Sequence, residues 1–214
     1  MAATDARYRW REWLDFPVGS AHHGRRESDL QIFLGFTPYL AFFVGIRIGS
    51  VDAAMWIAFV VAVLVALYGR WRGRSVKILE VGVVTLFGAL AVFTGVTHWD
   101  WSLTAVRFAV DLGLLAIVLI SIAIGRPFTL QYARERVAEG YWQSPLFLAI
   151  NRRITWVWAA AFAALVTAHA AVVFSRVPVW LDLVVTVLAF SYAINFTARY
   201  PEKARKSAAT QRAA

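Results

Sequence analysis

Arg107 and Asp111 stand one helical turn apart inside "LTAVRFAVDLGLLAIVLISIAIGRPF", Leu103 to Phe128, a segment otherwise apolar enough to cross a lipid bilayer. A charged side chain at the bilayer centre costs on the order of 2.5–3.5 kcal/mol even on the lenient insertion scale, so the face bearing both must turn toward other helices or water. Their i, i+4 spacing lets them pair on that face. Counted from Trp101 at about 1.5 Å per residue, Arg107 lies about 9 Å and Asp111 about 15 Å along the axis, which puts Asp111 near mid-membrane. Two uses fit the pair. One is a brace, an intrahelical ion pair completed by Tyr39, Thr85, Thr186 or Tyr192 of neighbouring spans. The other is a polar site that handles a proton, an ion or a lipid headgroup, the usual meaning of ionisable groups inside a membrane.

The remaining chemistry-bearing residues are sparser. Glu80 sits near the start of an apolar run, where it can serve the helix dipole or pair with Arg74 or Lys77. Pro38, in "GFTPYL", is placed to kink the first run and free a carbonyl one turn earlier. Asn151 and Asn195 lie near the ends of runs and can bond across helices. His169 is the sole histidine inside an apolar run. One such histidine cannot supply the two ligands of a membrane haem. The chain has no cysteine, no HExxH, no Cys/His metal spacing and no Gly-rich phosphate loop. A nucleophile–base–orienter set is also absent. The sequence therefore points away from an enzyme and calls for no cofactor and no metal.

The elements that must hold these residues follow from composition. Apolar residues make up 60% of the 214, against about 45–50% in a soluble domain. They fall in runs of roughly 17–21, the length that crosses a hydrocarbon core of about 30 Å. Six spans can be drawn, at about 30–48, 52–69, 78–96, 101–124, 153–174 and 179–197. Nineteen of the 22 basic residues then lie on one side, leaving Arg47, Arg107 and Arg176 for the other side or the membrane. By the positive-inside rule the expected fold is an all-α polytopic bundle of six transmembrane helices with both termini in the cytoplasm. The net charge of +9 is then an orientation signal against anionic lipid, with no call for nucleic acid.

Around the membrane domain of 30–197, residues 1–29 form a basic, aromatic segment of cytoplasmic interface composition, and 198–214 a basic, disordered cytoplasmic tail. Each outward hairpin carries an acid, Asp52, Asp100 or Asp182, near the start of the following helix, where it caps N–H groups or meets the dipole. "GRPFTLQYARERVAEGYWQSP" opens a short interfacial helix at Pro127, which Gly140 ends. Ser144 and Pro145 then serve as cap and first residue of the fifth helix.

The order of "FLGFTPYLAFF", "GRPFTLQYARERV" and "YWQSPLFLAINRRITWVWAAAF" resembles the intracellular septation protein A family of bacterial inner-membrane proteins. The matching features are the Phe33–Pro38 stretch, Arg126-Pro127 closing a helix at the cytoplasmic face, and Trp142, Asn151 and Trp156 opening the next. The resemblance implies a non-enzymatic, multi-pass protein of the bacterial inner membrane. It would serve septation and cell-envelope maintenance by contacting division-machinery proteins, anionic lipid and copies of itself. The alternative is a small-solute, proton-coupled or lipid transporter or channel that uses Asp111 and Arg107, supported by Tyr39, Glu80, Thr85, His169, Tyr192 and Asn195.

Overall fold

The computed structural model describes residues 37–47, 49–98, 100–135, 137–175 and 178–213. Every regular element among them is helical: α1 (37–47), α2 (Val51–Trp71), α3 (Ile78–Thr97), α4 (Leu103–Ala123), α5 (Phe128–Arg134), α6 (Pro145–Ser175) and α7 (Val179–Ala213), with a 3-10 turn at Glu139–Tyr141. Five of these, α2, α3, α4, α6 and α7, are long and apolar enough to cross a membrane. The first expected span, 30–48, lies partly outside the described residues, as does the turn before Pro38 that a kink would distort. The segment 1–29 lies wholly outside them.

Local chemistry sets the ends. Ser50 Oγ accepts from the Ala53 N–H at 3.2 Å, and Ser102 Oγ from the Ala105 N–H at 3.2 Å, so serines supply the capping hydrogen bonds beside Asp52 and Asp100. Helix α4 stops where Gly125 takes φ +69 and the Arg126 N–H reaches back to the Ser121 carbonyl, a turn that a side chain at 125 would strain. Ser144 caps α6 through the Phe147 N–H at 3.1 Å, with Pro145 first in the helix as expected. Pro127 is the residue before α5, which ends at Arg134; Gly140 falls instead within the 3-10 turn. The expected disordered tail is also corrected: α7 continues through Pro201 to Ala213. The segment is rich in Ala, Lys, Arg and Glu, strong helix formers, and adds a Glu202–Lys206 pair at i, i+4 and 2.7 Å.

Helix α2 packs on α3, α3 on α4, α4 on α6, and α6 on α7. Helix α1 touches four of them. Phe42 is fully buried against Phe87 of α3, and Tyr39 reaches Asp111 of α4 and Phe190 of α7. Gly45 meets α2 so closely that a Cβ there would lie 3.0 Å from Ala54 Cα. Large apolar side chains such as Leu64 and Leu67 of α2, Val92 of α3 and Leu183 and Leu188 of α7 face outward. That is the arrangement of helices solvated by lipid, where small residues rather than large ones bring backbones together.

Candidate functional site

Four helices contribute a chain of polar side chains, of which Asp111, His169 and Asp182 are buried and Tyr39 half-buried. Asp111 of α4 is fully buried. Its Oδ1 accepts from the Tyr39 hydroxyl of α1 at 3.2 Å, and its Oδ2 lies 3.0 Å from His169 Nδ1 of α6. On the other edge of the imidazole, Nε2 lies 3.2 Å from Asp182 Oδ2 of α7. The series therefore runs Tyr39, Asp111, His169, Asp182.

Helix register explains why these four meet. At about 1.5 Å per residue, Tyr39 lies about 12 Å before the end of α1 and Asp111 about 12 Å after the start of α4. On the same measure His169 is about 9 Å before the end of α6, and Asp182 about 4.5 Å after the start of α7. The chain thus descends like a staircase from the α6–α7 turn toward the middle of the bundle.

Proton placement in the chain follows from hydrogen-bond accounting. Nδ1 is 3.0 Å from the Leu165 carbonyl as well as 3.0 Å from Asp111 Oδ2. Its hydrogen satisfies the carbonyl, so Asp111 Oδ2 gains charge attraction without a well-directed hydrogen bond of its own. The Leu165 carbonyl can only accept, so we assign a hydrogen to Nδ1. With that assignment, a hydrogen bond across the Nε2–Asp182 contact requires a second proton on Nε2. Without it, an imidazole lone pair would face a carboxylate in a water-poor site. Asp182 Oδ1 is buried with no hydrogen-bond partner.

Arg107 does not pair with Asp111. Its guanidinium carbon lies 5.1 Å above the Phe43 ring of α1, and its Nε is buried without a hydrogen-bond partner. The reason is directional. Side chains on a helix lean toward its N-terminus, so an arginine one turn before an aspartate leans away from it. Of the four neighbours proposed to complete the pair, Tyr39 joins the site. Thr85 is exposed beside a groove between α3 and α4, Thr186 is half-buried on α7, and Tyr192 is 63% exposed against Phe196. Asn195 is exposed and donates to its own helix at the Ser191 carbonyl.

Glu80 belongs to a separate cluster at the start of α3. Lys77, only 2% exposed, sits 3.6 Å from Glu80 and 3.0 Å from Glu135, with its ammonium 4.9 Å from the Tyr132 ring centroid. Of the two bases proposed for Glu80, Lys77 is the partner within 4.0 Å. Burial, then the charges of Glu80 and Glu135, push the Tyr132 phenol up, so that group stays neutral. The residues Arg126, Pro127, Trp142, Asn151 and Trp156 lie around the connection from α4 to α6. Pro127 leads into α5, whose Thr129 hydroxyl bonds the Asn151 carbonyl at 2.9 Å; Asn151 is buried and its amide donates to the Phe147 carbonyl. Trp142 donates to the Val137 carbonyl, Arg126 is exposed, and Trp156 is half exposed.

Among the described residues, no group of three or more His, Cys, Asp or Glu side chains could hold a metal ion. Asp111 and Asp182 approach His169 from its two opposite nitrogens and do not converge on a point. Sequence reasoning missed Asp182, taken as a helix-end acid, and placed His169 only as a supporting group. One signal was present: the two residues lie on consecutive helices, each within two turns of the connection between them. No family model, curated protein or solved structure matches this chain.

Proposed function

We propose that this chain is a proton-coupled transporter of a small solute, with Asp111, His169 and Asp182 as its proton site. The observation that carries the reading is the Tyr39–Asp111–His169–Asp182 chain, which ties four helices together and ends at Asp182 in a groove between α6 and α7. A structural brace needs one counter-charge for each acid. Here a single imidazole serves two carboxylates, while Arg107 forms an ion pair with neither. Removing the proton between Nε2 and Asp182 breaks one of the links between α6 and α7, the one nearest their connection, so protonation and the position of that end of α7 are coupled.

The proposal includes six spans with both ends in the cytoplasm of a bacterial inner membrane, supported by the one-sided distribution of basic residues. A single cysteine introduced as Thr210→Cys should then resist a membrane-impermeant thiol reagent applied outside intact cells and react after permeabilisation. Labelling in intact cells overturns the orientation.

The activity test uses the purified chain in proteoliposomes with an internal pH dye. Under an imposed pH gradient the wild type should move protons faster than protein-free vesicles, and Asp111→Asn or His169→Gln should abolish the excess. Flux indistinguishable from empty vesicles, with the full solute set of a cell extract supplied, overturns the reading. A second reading, an interaction protein of septation, draws support from α7, whose Leu183, Val187 and Tyr192 face outward and are free to meet another helix. Under it, Asp111→Asn would complement a division defect fully.

A further inference from the structure

The groove that ends the polar chain has a composition of its own. It measures about 330 Å³ and is walled on α6 by Ala164, Thr167, Ala168 and Ala171, residues spaced to share one helix face. Leu181 and Val185 of α7 complete the wall, and among the described residues Asp182 is its one ionisable lining residue. Asp182 is 95% buried; Oδ2 meets His169, and Oδ1 has no hydrogen-bond partner. A carboxylate oxygen left unpaired in an apolar wall has a strong demand for a donor, and a cationic donor satisfies it best.

We infer that the groove between α6 and α7 is the seat of a hydrophobic ammonium, whose binding to Asp182 exchanges for the proton held between Asp182 and His169. The inference rests on the proton-site reading and names the class of solute. The groove size suits a ring or short alkyl body, since ligand pockets begin at about 300 Å³. Small alanines make the wall, so the body of the ligand finds a smooth apolar surface. Charge selects the head: an anion would meet Asp182 unfavourably, and a neutral hydroxyl, though it can donate to Oδ1, brings no charge to replace the departing proton.

The exchange balances. An incoming R–NH3+ donates to Asp182 and takes the place of the His169 Nε2–H contact. The Nε2 proton leaves to water, and imidazole keeps its Nδ1 hydrogen on the Leu165 carbonyl. One positive charge enters and one departs, so the cluster's net charge is unchanged. Among the described residues, the groups that face this step are Tyr39 from α1, Arg107 and Asp111 from α4, and His169 and Asp182 themselves.

The test uses the full chain in lipid nanodiscs with 2-phenylethylamine as probe and 2-phenylethanol as its neutral shape match, each corrected for partition into empty nanodiscs. Titration calorimetry in two buffers of different ionisation enthalpy reads the proton released with each amine bound. The expected result is saturable amine binding with proton release, no competition by the alcohol, and a loss of affinity of about tenfold or more in Asp182→Asn. Ala168→Phe, which fills the groove and leaves every ionisable group in place, should block the amine; it keeps the test decisive if Asp182→Asn does not fold. Equal binding of amine and alcohol overturns the inference and makes the groove a lipid seat. Amine binding without proton release overturns the exchange. Asp111-dependent proton flux in vesicles with no saturable amine binding overturns the inference while leaving the proton site intact.

Discussion

Replacing His169 by Leu tests whether one imidazole holds two buried acids. The substitution removes the contacts at 3.0 Å to Asp111 and 3.2 Å to Asp182 together. Asp111 keeps the Tyr39 hydroxyl, whereas Asp182 keeps no partner from the cluster. Breaking a buried ion pair by deleting one partner costs about 3–5 kcal/mol, because the remaining charge is left uncompensated. Against a total stability of about 5–15 kcal/mol, that loss should be plain in reversible unfolding by SDS in mixed micelles. The penalty comes from the stranded carboxylates, so it should shrink when they are neutralised. The triple variant His169→Leu, Asp111→Asn, Asp182→Asn should recover about half or more of it, a non-additivity expected of groups in one network. A cost below about 1 kcal/mol, the range of exposed pairs, with no recovery in the triple variant, would refute the cluster as described.

Three further measurements bear on the architecture. Arg107→Leu should cost only about 1 kcal/mol in the same assay, the scale of its perch over Phe43, since no ion pair with Asp111 is lost; a cost equal to that of His169→Leu would restore the intrahelical pair. Gly45→Val should destabilise by about 1–3 kcal/mol, because a Cβ there meets Ala54 backbone at 3.0 Å rather than a side chain that can turn aside. An unchanged unfolding midpoint would move α1 away from α2. Lys77→Met should cost about 3 kcal/mol, the low end for a buried pair, as Glu80 and Glu135 keep some access to water. Adding Glu80→Gln and Glu135→Gln should return most of that loss, and failure to do so would mean that Lys77 is held chiefly by packing.

The helices were legible where local signals act alone. Span cores at 52–69, 78–96 and 101–124 lie within one to two residues of α2, α3 and α4 at most ends, because length and apolarity decide them. The Ser144-Pro145 start of α6 was equally readable. Two errors came from reading charge without direction. The i, i+4 spacing of Arg107 and Asp111 permits a pair, but the base precedes the acid, and the side-chain lean separates them. The tail was read as disordered from its polarity, although Ala, Glu and Lys prolong a helix that has already been nucleated in the bilayer. The Asp111–His169 contact joins helices that are not neighbours in sequence, and no local pattern encodes it. The His169–Asp182 contact, by contrast, is a property of one hairpin.

That hairpin has a mechanical consequence. Helix α7 packs chiefly on α6. Beyond Phe190, Trp158 donates to the Thr197 hydroxyl at 3.1 Å and Arg153 to the Tyr200 hydroxyl at 3.0 Å, and two contacts lie nearer the hairpin. Phe190 meets Trp158 and Phe162 with ring centroids 6.0 Å apart in each case, a joint that no proton change affects. Asp182 lies two turns nearer the hairpin turn, about 12 Å along the axis, and its tie to His169 exists only while the proton between them stays. Under the proposed exchange the aromatic joint would act as a pivot and the His169–Asp182 tie as a latch. Loss of the proton would free the end of α7 that walls the groove and leave the pivot in place. The proposed exchange of a proton for a cation at Asp182 thus acts where it can change the groove's width, and Phe190→Ala should loosen the pivot without altering proton release.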